Sequence, residues 1–199
     1  MLPAPIQQFV RVFSRLPLLG PRLATRLALH LISLDRASFQ ELKNALIQLE
    51  ALDRCPRCFF LKNENAKLCD ICADTRRNPR IIAIVEKETD ILSLEKTHKF
   101  SGHYLILGEL PEKGVLENVQ KLRLQHLRTR ITQELNGMAD EIIVALNPNS
   151  FGDFVAGIIN QEFKTMTKKI TRLGRGIPTG GEIEFADEET LGSALERRI

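Results

Sequence analysis

No apolar run in this 199-residue chain approaches the roughly 20 residues a membrane-crossing helix needs, so nothing in it reads as a bilayer span. No Gly-x-x-x-x-Gly-Lys-Ser/Thr phosphate loop is present, which argues against ATP hydrolysis. Low-complexity tracts and long internal repeats are missing as well. Acids are absent from residues 1–34, which carry Arg11, Arg15, Arg22 and Arg26. Bases are absent from residues 182–190 (EIEFADEET), which carry five acids. One end therefore suits phosphates and the other a basic partner or a neighbouring subunit, although the net charge is only +3. The stretch MLPAPIQQFVRVF offers no apolar core ending in a small-residue cleavage site, so an oxidising secretory route is not expected. What remains, 43% hydrophobic and 27% charged residues, is the ordinary composition of a globular protein of one or two domains.

Cysteine occurs only as Cys55-Pro-Arg-Cys58 and Cys69-Asp-Ile-Cys72. A Cys-x-x-Cys turn presents two thiolates to one ion, and two such turns complete a closed tetrahedral shell. The spacing therefore predicts one structural Zn²⁺ held by Cys55, Cys58, Cys69 and Cys72, with no open position for chemistry. Zinc binding in small modules is worth roughly 10–16 kcal/mol, comparable to the whole stability of a typical domain, about 5–15 kcal/mol. The loop FFLKNENAKL between the pairs needs such help to become ordered. Disulfides would need the secretory route, and a redox motif would use one Cys-x-x-Cys rather than two in close register.

Ile6, Phe9, Val10 and Phe13 follow helical spacing. Pro17 and Gly20-Pro21 then break the chain, and a second helix is expected from Pro21 with Leu23, Leu27 and Leu31 on its buried side. Ser38-Phe-Gln-Glu41 reads as a capping box opening a third helix through Leu49. Residues 1–53 thus form a helical module, 54–73 a four-cysteine finger, and 73–80 a polar linker. From residue 81 the period changes. Ile81–Val85, His103–Leu107 and Glu141–Leu146 read as buried strands, and 167–173 as a fourth. Helices fit 89–97, 115–136 and 152–164. Strands alternating with helices predict an α/β fold with a parallel sheet, and candidate functional loops follow the strands' carboxyl ends.

Three loops could carry function. In Leu16-Pro-Leu-Leu-Gly20-Pro-Arg-Leu-Ala24, a tight turn presents the N–H groups of a helix start, where a phosphate can bind. Arg22 and Arg26, one helical turn apart, extend that contact along a nucleic-acid backbone; solvated arginines on a plain helical hairpin are the alternative. Glu86 follows the first strand of the sheet, where a carboxylate can bind Mg²⁺ or act as a general acid/base. Asn147-Pro-Asn-Ser-Phe-Gly-Asp153 follows another strand but supplies only Asp153, short of the converging carboxylates that two-metal chemistry needs. His30, His98, His103 and His126 have no ligand-spacing partner and read as core or surface residues. Phe9, Phe13, Phe59 and Phe60 read as packing groups rather than stacking platforms.

Taken in order, LPLLGPRLATRLALHLI, the paired cysteines, IIAIVEKETDI, FSGHYLILG, LNPNSFGDFVAGII and ITRLGRGIPTGGEIEFADEETLGSALERR resemble the bacterial recombination mediator family RecR over nearly the whole chain. The resemblance implies a helix-hairpin-helix module, a zinc finger, a Toprim-like domain over 80–175 and a C-terminal arm over 176–199. It implies a cytoplasmic homo-oligomer, a dimer or tetrameric ring able to encircle DNA. It also implies work with RecO or RecF to help RecA replace SSB on single-stranded DNA. Arg22 and Arg26 match the family's DNA-contacting positions, and Glu86 matches the Toprim glutamate. Three departures stand out. Leu18 replaces the first glycine of a Gly-x-Gly hairpin, which predicts an altered turn. Phe151-Gly152-Asp153 replaces Glu-Gly-Glu. The stretch ELPEKGVLENV after Gly108 is shorter than the family's loop.

Three function classes follow: a non-catalytic DNA-binding mediator, a Toprim-type metal-dependent nuclease or primase-like enzyme, and a zinc adaptor that binds protein only through its acidic C-terminal segment. The thin acid set, Glu86 and Asp153, favours the mediator.

Overall fold

Proline and glycine punctuate the N-terminal part of the chain. Pro5 lies in the first turn of α1 (Ala4–Phe13), and Pro21 follows Gly20 to start α2 (Pro21–Ser33), where a missing N–H costs nothing. In this computed structural model, which describes residues 2–110, 115–196 and 198, the chain divides into two compact units, Met1–Asp53 and Arg54–Ile199. In the first unit α1 packs on α2. Ile6, Ala24 and Ala28 are its buried residues. The buried side of α2 differs from the expected leucine stripe: Leu23 is exposed, while Leu27 and Leu31 are only half-buried. Two alanines let the helices approach closely and displace the leucines to the margins. Phe9 and Phe13 are half-buried and stack on each other at 3.8 Å.

The third helix, α3 (Arg36–Gln48), starts earlier than the Ser38 capping box predicts. Asp35 is its N-cap, accepting from the backbone N–H groups of Ala37 and Ser38 at 2.9 and 3.0 Å. Ser38 donates its hydroxyl to the same carboxylate at 2.6 Å, so the serine serves the cap rather than being it.

The short strand β1 (Leu52–Arg54) runs across the boundary, and the second unit continues with β2 (Leu61–Asn63) and the single turn α4 (Asp70–Ala73). The alternating part then runs β3 (Asn78–Val85), α5 (Glu88–Glu95), β4 (Gly102–Ile106), α6 (Asn118–Glu134), β5 (Glu141–Ala145), α7 (Ser150–Phe163), β6 (Ile170–Arg172) and α8 (Glu188–Glu196). These four strands form one parallel sheet in the order β4-β3-β5-β6. The expected α/β fold and parallel sheet are therefore present. Residues 78–80, read from the sequence as linker, belong to β3, because Asn78 pairs with Gly102 ahead of an irregularity in the ladder. Residues 111–114 of ELPEKGVLENV lie outside the described residues.

The two faces of the sheet are covered unequally. Ile82, Ile84, Leu105, Ile142 and Val144 pack with Leu124, Leu127 and Ile131 of α6 and Val155, Ile159 and Phe163 of α7. On the other face Ala83, Val85, Tyr104 and Ile106 meet Ile91 of α5, and Phe60 and Ile71 of the cysteine finger complete the cover. Because β4 is an edge strand, the finger also caps its open side: the Ile106 N–H donates to the Cys58 carbonyl at 2.9 Å.

Two glycines of α7 occupy opposite environments. A Cβ at Gly152 would lie 2.0 Å from the Asn147 carbonyl oxygen, whereas a Cβ at Gly157 meets nothing within 4 Å. Gly152→Ala is expected to destabilise the protein by about 1–3 kcal/mol through this backbone clash, and Gly157→Ala to stabilise it by about 0.5–1 kcal/mol. Denaturant melts of the two variants check both signs.

Candidate metal centre and nucleic-acid interface

The four cysteine sulfurs lie within 4.8 Å of one another, and all four cysteines are buried and free of disulfides. Among the described residues this is the one group of histidines, cysteines or acids placed to hold a metal ion. A tetrahedral ion with metal–sulfur bonds of about 2.3 Å needs sulfurs about 3.8 Å apart. Cys58 and Cys69 stand at 3.5 Å, so the donor set fits a closed tetrathiolate ion. Backbone geometry favours thiolates there: the Phe60 N–H donates to the Cys58 sulfur at 3.4 Å and the Cys69 N–H to the Cys55 sulfur at 3.5 Å. Hydrogen bonding among the four sulfurs pulls the Cys55 thiol down and pushes those of Cys58 and Cys72 up, so the four do not ionise alike without an ion between them. Phe59 adopts φ 66°, which turns the chain so that Cys55 N–H can bond the Phe60 carbonyl at 2.7 Å. Phe59 itself sits edge-on to His126 at 5.3 Å, with the Arg123 guanidinium 4.8 Å over its ring.

Leu18 stands in the hairpin turn. This residue takes φ 65°, the left-handed region that glycine occupies freely, and its side chain is 98% exposed. The Cβ costs about 1–2 kcal/mol there. Gly20 caps α2 with no side-chain hydrogen bond, and no acid lies in the first turn, so the positive end of the helix is open. Arg22 and Arg26 are exposed and make no ion pair among the described residues. The one side-chain bond in this turn is local, from the Thr25 hydroxyl to the Pro21 carbonyl at 2.8 Å.

Glu86 stands at the carboxyl end of β3 as expected, but its oxygens are occupied. Oε1 accepts from the Leu110 N–H at 3.3 Å, and Oε2 accepts from the Asn147 side-chain amide at 2.7 Å. Asp153 does not join it in a metal-ligating group. Instead Asp153 pairs with both Arg172 and Arg175, and the Arg172 hydrogen bond leads in holding its carboxyl below the ordinary value. Arg175 also bonds Glu189 of α8 at 2.6 Å. Asn147, Arg172, Arg175 and Glu189 line a cleft of about 450 Å³ at the carboxyl ends of β5 and β6, which Glu86 and Asp153 do not line. Sequence reading missed Asn147, Arg172 and Arg175 as partners of the two acids. The β3–β5 register, with Val85 beside Ala145, is what brings Asn147 to Glu86. Of the histidines, His103 is a core residue at 3% exposure, bonded through Nδ1 to Arg130 at 2.8 Å.

Three family descriptions match the chain: "RecR, helix-hairpin-helix" over residues 6–49, "Toprim domain" over 80–174 and "RecR, C-terminal" over 176–199. Among curated relatives, Recombination protein RecR of Streptomyces coelicolor is 37% identical, covering 97% of this chain and 95% of its own. That of Paenarthrobacter aurescens is 36% identical with the same coverage. That of Gloeobacter violaceus is 34% identical, covering 100% of this chain and 98% of its own.

The pairing of Asp153 predicts a pH signature. Its pKa is lower in the folded chain than in the unfolded one, so its contribution is present above the unfolded value of about 3.9 and is lost as pH falls through the folded value. Asp153→Asn is therefore expected to be less stable than the parent at neutral pH. The difference should close in strongly acidic solution, as measured by thermal melts from pH 7 to pH 2.

Proposed function

Because this chain belongs to the RecR family of recombination proteins, we propose that it is a non-catalytic, sequence-independent DNA-binding mediator of recombinational repair. The observation that carries this reading is the open N-terminal end of α2. Unsatisfied N–H groups face solvent there, Arg22 and Arg26 project freely, and residues 1–34 hold no acid to compete with a phosphate. In this reading α2 lies along a phosphate backbone. The four cysteines hold one structural Zn²⁺, and the protein acts in the cytoplasm with RecO or RecF to help RecA displace SSB from single-stranded DNA. No helix among the described residues is long and apolar enough to cross a membrane.

The Toprim part supports binding rather than phosphoryl transfer. Glu86 and Asp153 are each taken up by partners within the chain, and Phe151 stands where the resemblance leads one to expect a further acid. A two-metal site needs several carboxylates converging on one point. The expected ring has its support in the first unit. Phe39, Leu42, Leu46 and Ile47 of α3 are all at least 45% exposed, and α3 buries no residue fully. Such a surface suits contact with another copy of the chain, and copies arranged in closed symmetry would add their phosphate contacts on one duplex.

Gel-shift titration on gapped DNA at several salt concentrations tests the reading. Arg22→Ala combined with Arg26→Ala should weaken binding to all sequences alike. Each phosphate that the variant no longer neutralises should flatten the slope of log affinity against log salt by about 0.9. Unchanged affinity in the double variant would remove the assignment. Cleavage or polymerisation in Mg²⁺ that Glu86→Gln abolishes would favour the enzyme instead, and a monomer by light scattering would remove the ring.

A further inference from the structure

Arg130 of α6 is 3% exposed, and its Nε and Nη1 make no hydrogen bond. Its Nη2 contacts His103 Nδ1 at 2.8 Å and the Pro79 carbonyl at 3.5 Å. Arginine carries only donors, so the His103 nitrogen is the acceptor and the imidazole is neutral. Burial first, and the Arg130 charge second, push the His103 pKa down to about 4, so the ring is uncharged and does not offset the guanidinium charge.

Among the described residues the one carboxylate paired with Arg130 is Glu134, 3.7 Å from its Nε and half in solvent. It is shared with Arg57, whose Nη2 stands 3.0 Å from it. Arg57 in turn donates from Nη1 to the Cys72 carbonyl at 3.3 Å, inside the finger. Two guanidinium ions therefore share one carboxylate, and the deeper of them is buried with donors to spare. A buried charge left so poorly compensated costs several kcal/mol. Arg130 lies on the α6 stripe His126–Arg130–Glu134, and both ends of that stripe meet the finger: His126 packs on Phe59 at 5.3 Å and Glu134 pairs with Arg57 at 3.0 Å.

A divalent ion held by four thiolates carries a net charge of −2. We propose that Arg130, assisted by Arg57, is the cationic outer layer of the four-cysteine centre, offsetting the surplus negative charge of the metal tetrathiolate and tying metal retention to α6. This rests on the Zn²⁺ reading given above. Arg130 and Arg57 are positioning residues: neither is a ligand, and each acts through charge on the thiolates. One backbone bond and one ion pair seat the finger against β4 and α6. The Cys58 carbonyl receives the Ile106 N–H from β4, and the Cys72 carbonyl receives Arg57, which Glu134 of α6 holds in place.

The test is chelator competition for Zn²⁺ on the full chain, repeated across pH, for the parent, Arg130→Met, Arg130→Lys and Glu134→Gln. The proposal expects Arg130→Met to lose about 10–100-fold in Zn²⁺ affinity, the range found for partners outside the ligand shell. It also expects the pH midpoint for metal loading to rise, because thiolates without a nearby cation hold their protons more tightly. Arg130→Lys should retain most of the affinity, and Glu134→Gln should lose less than Arg130→Met, because it loosens Arg57 but leaves both cations in the chain. If Arg130→Met does not fold, Arg57→Met, which sits nearer the surface, should show the same upward shift of the pH midpoint.

Affinity and pH midpoint in Arg130→Met, or in Arg57→Met as its substitute, equal to the parent's would overturn the proposal. So would equal losses in the methionine, lysine and glutamine variants, which would mark a purely structural ion-pair network. A parent chain that binds no Zn²⁺ would end the metal reading itself, separately from this inference.

Discussion

Four sulfurs gathered within 4.8 Å govern the second unit. The finger around them has little else to hold it. Phe59, Phe60, Leu68 and Ile71 are its half-buried apolar contributors, and each supplies about 1–2 kcal/mol at most, against an ordering cost of about 1–2 kcal/mol for every residue fixed. Yet this weakly supported element covers one face of the sheet and the open side of β4. A parallel sheet needs cover on both faces, and here α5 alone does not provide it. Whatever holds the sulfurs together therefore also completes the core of the α/β body.

The loops at the carboxyl end of that sheet carry polar groups whose charges are mostly spent on each other. Glu86 is satisfied by Asn147 and a backbone N–H, and Asp153 by two arginines, Arg172 at the end of β6 and Arg175 just beyond it. Through Glu189, Arg175 extends the network to α8. The same framework that could gather acids for metal chemistry instead joins elements of the chain. Free positive charge lies elsewhere, at Arg22 and Arg26 of the first unit. Glu86 and Asp153 of the Toprim part are thus satisfied within the chain, while the N-terminal end of α2 presents open donors.

Much of this was legible in the sequence because the signals are local. Two Cys-x-x-Cys pairs fix a ligand set by spacing alone, and the apolar runs 81–85, 103–107 and 141–146 mark strands buried on both faces. Element ends were less legible. The Asp35 cap outcompeted Ser38 because the aspartate's two oxygens bond two backbone N–H groups and the serine hydroxyl together. The buried side of α2 was misread because hydrophobicity favours leucine, whereas close helix contact selects Ala24 and Ala28. The partners of Glu86, Asp153 and Arg130 were illegible for a different reason. Asn147 reaches Glu86 only once β5 lies beside β3, and Arg130 meets His103 only once α6 lies on β4. Leu18 departs from the glycine pattern and still takes a positive φ of 65°, so the turn carries the strain of its Cβ.

The dependence of the sheet on the sulfur centre is tested most directly by hydrogen exchange on the full chain, before and after metal is stripped with a chelator and a thiol-reactive agent, with metal content measured on the same samples. The account predicts one zinc per chain at the start. On removal, protection should collapse across residues 55–72 and along β4, including the Ile106 amide that bonds Cys58. Metal-free protein whose β4 amides remain as protected as before would contradict it.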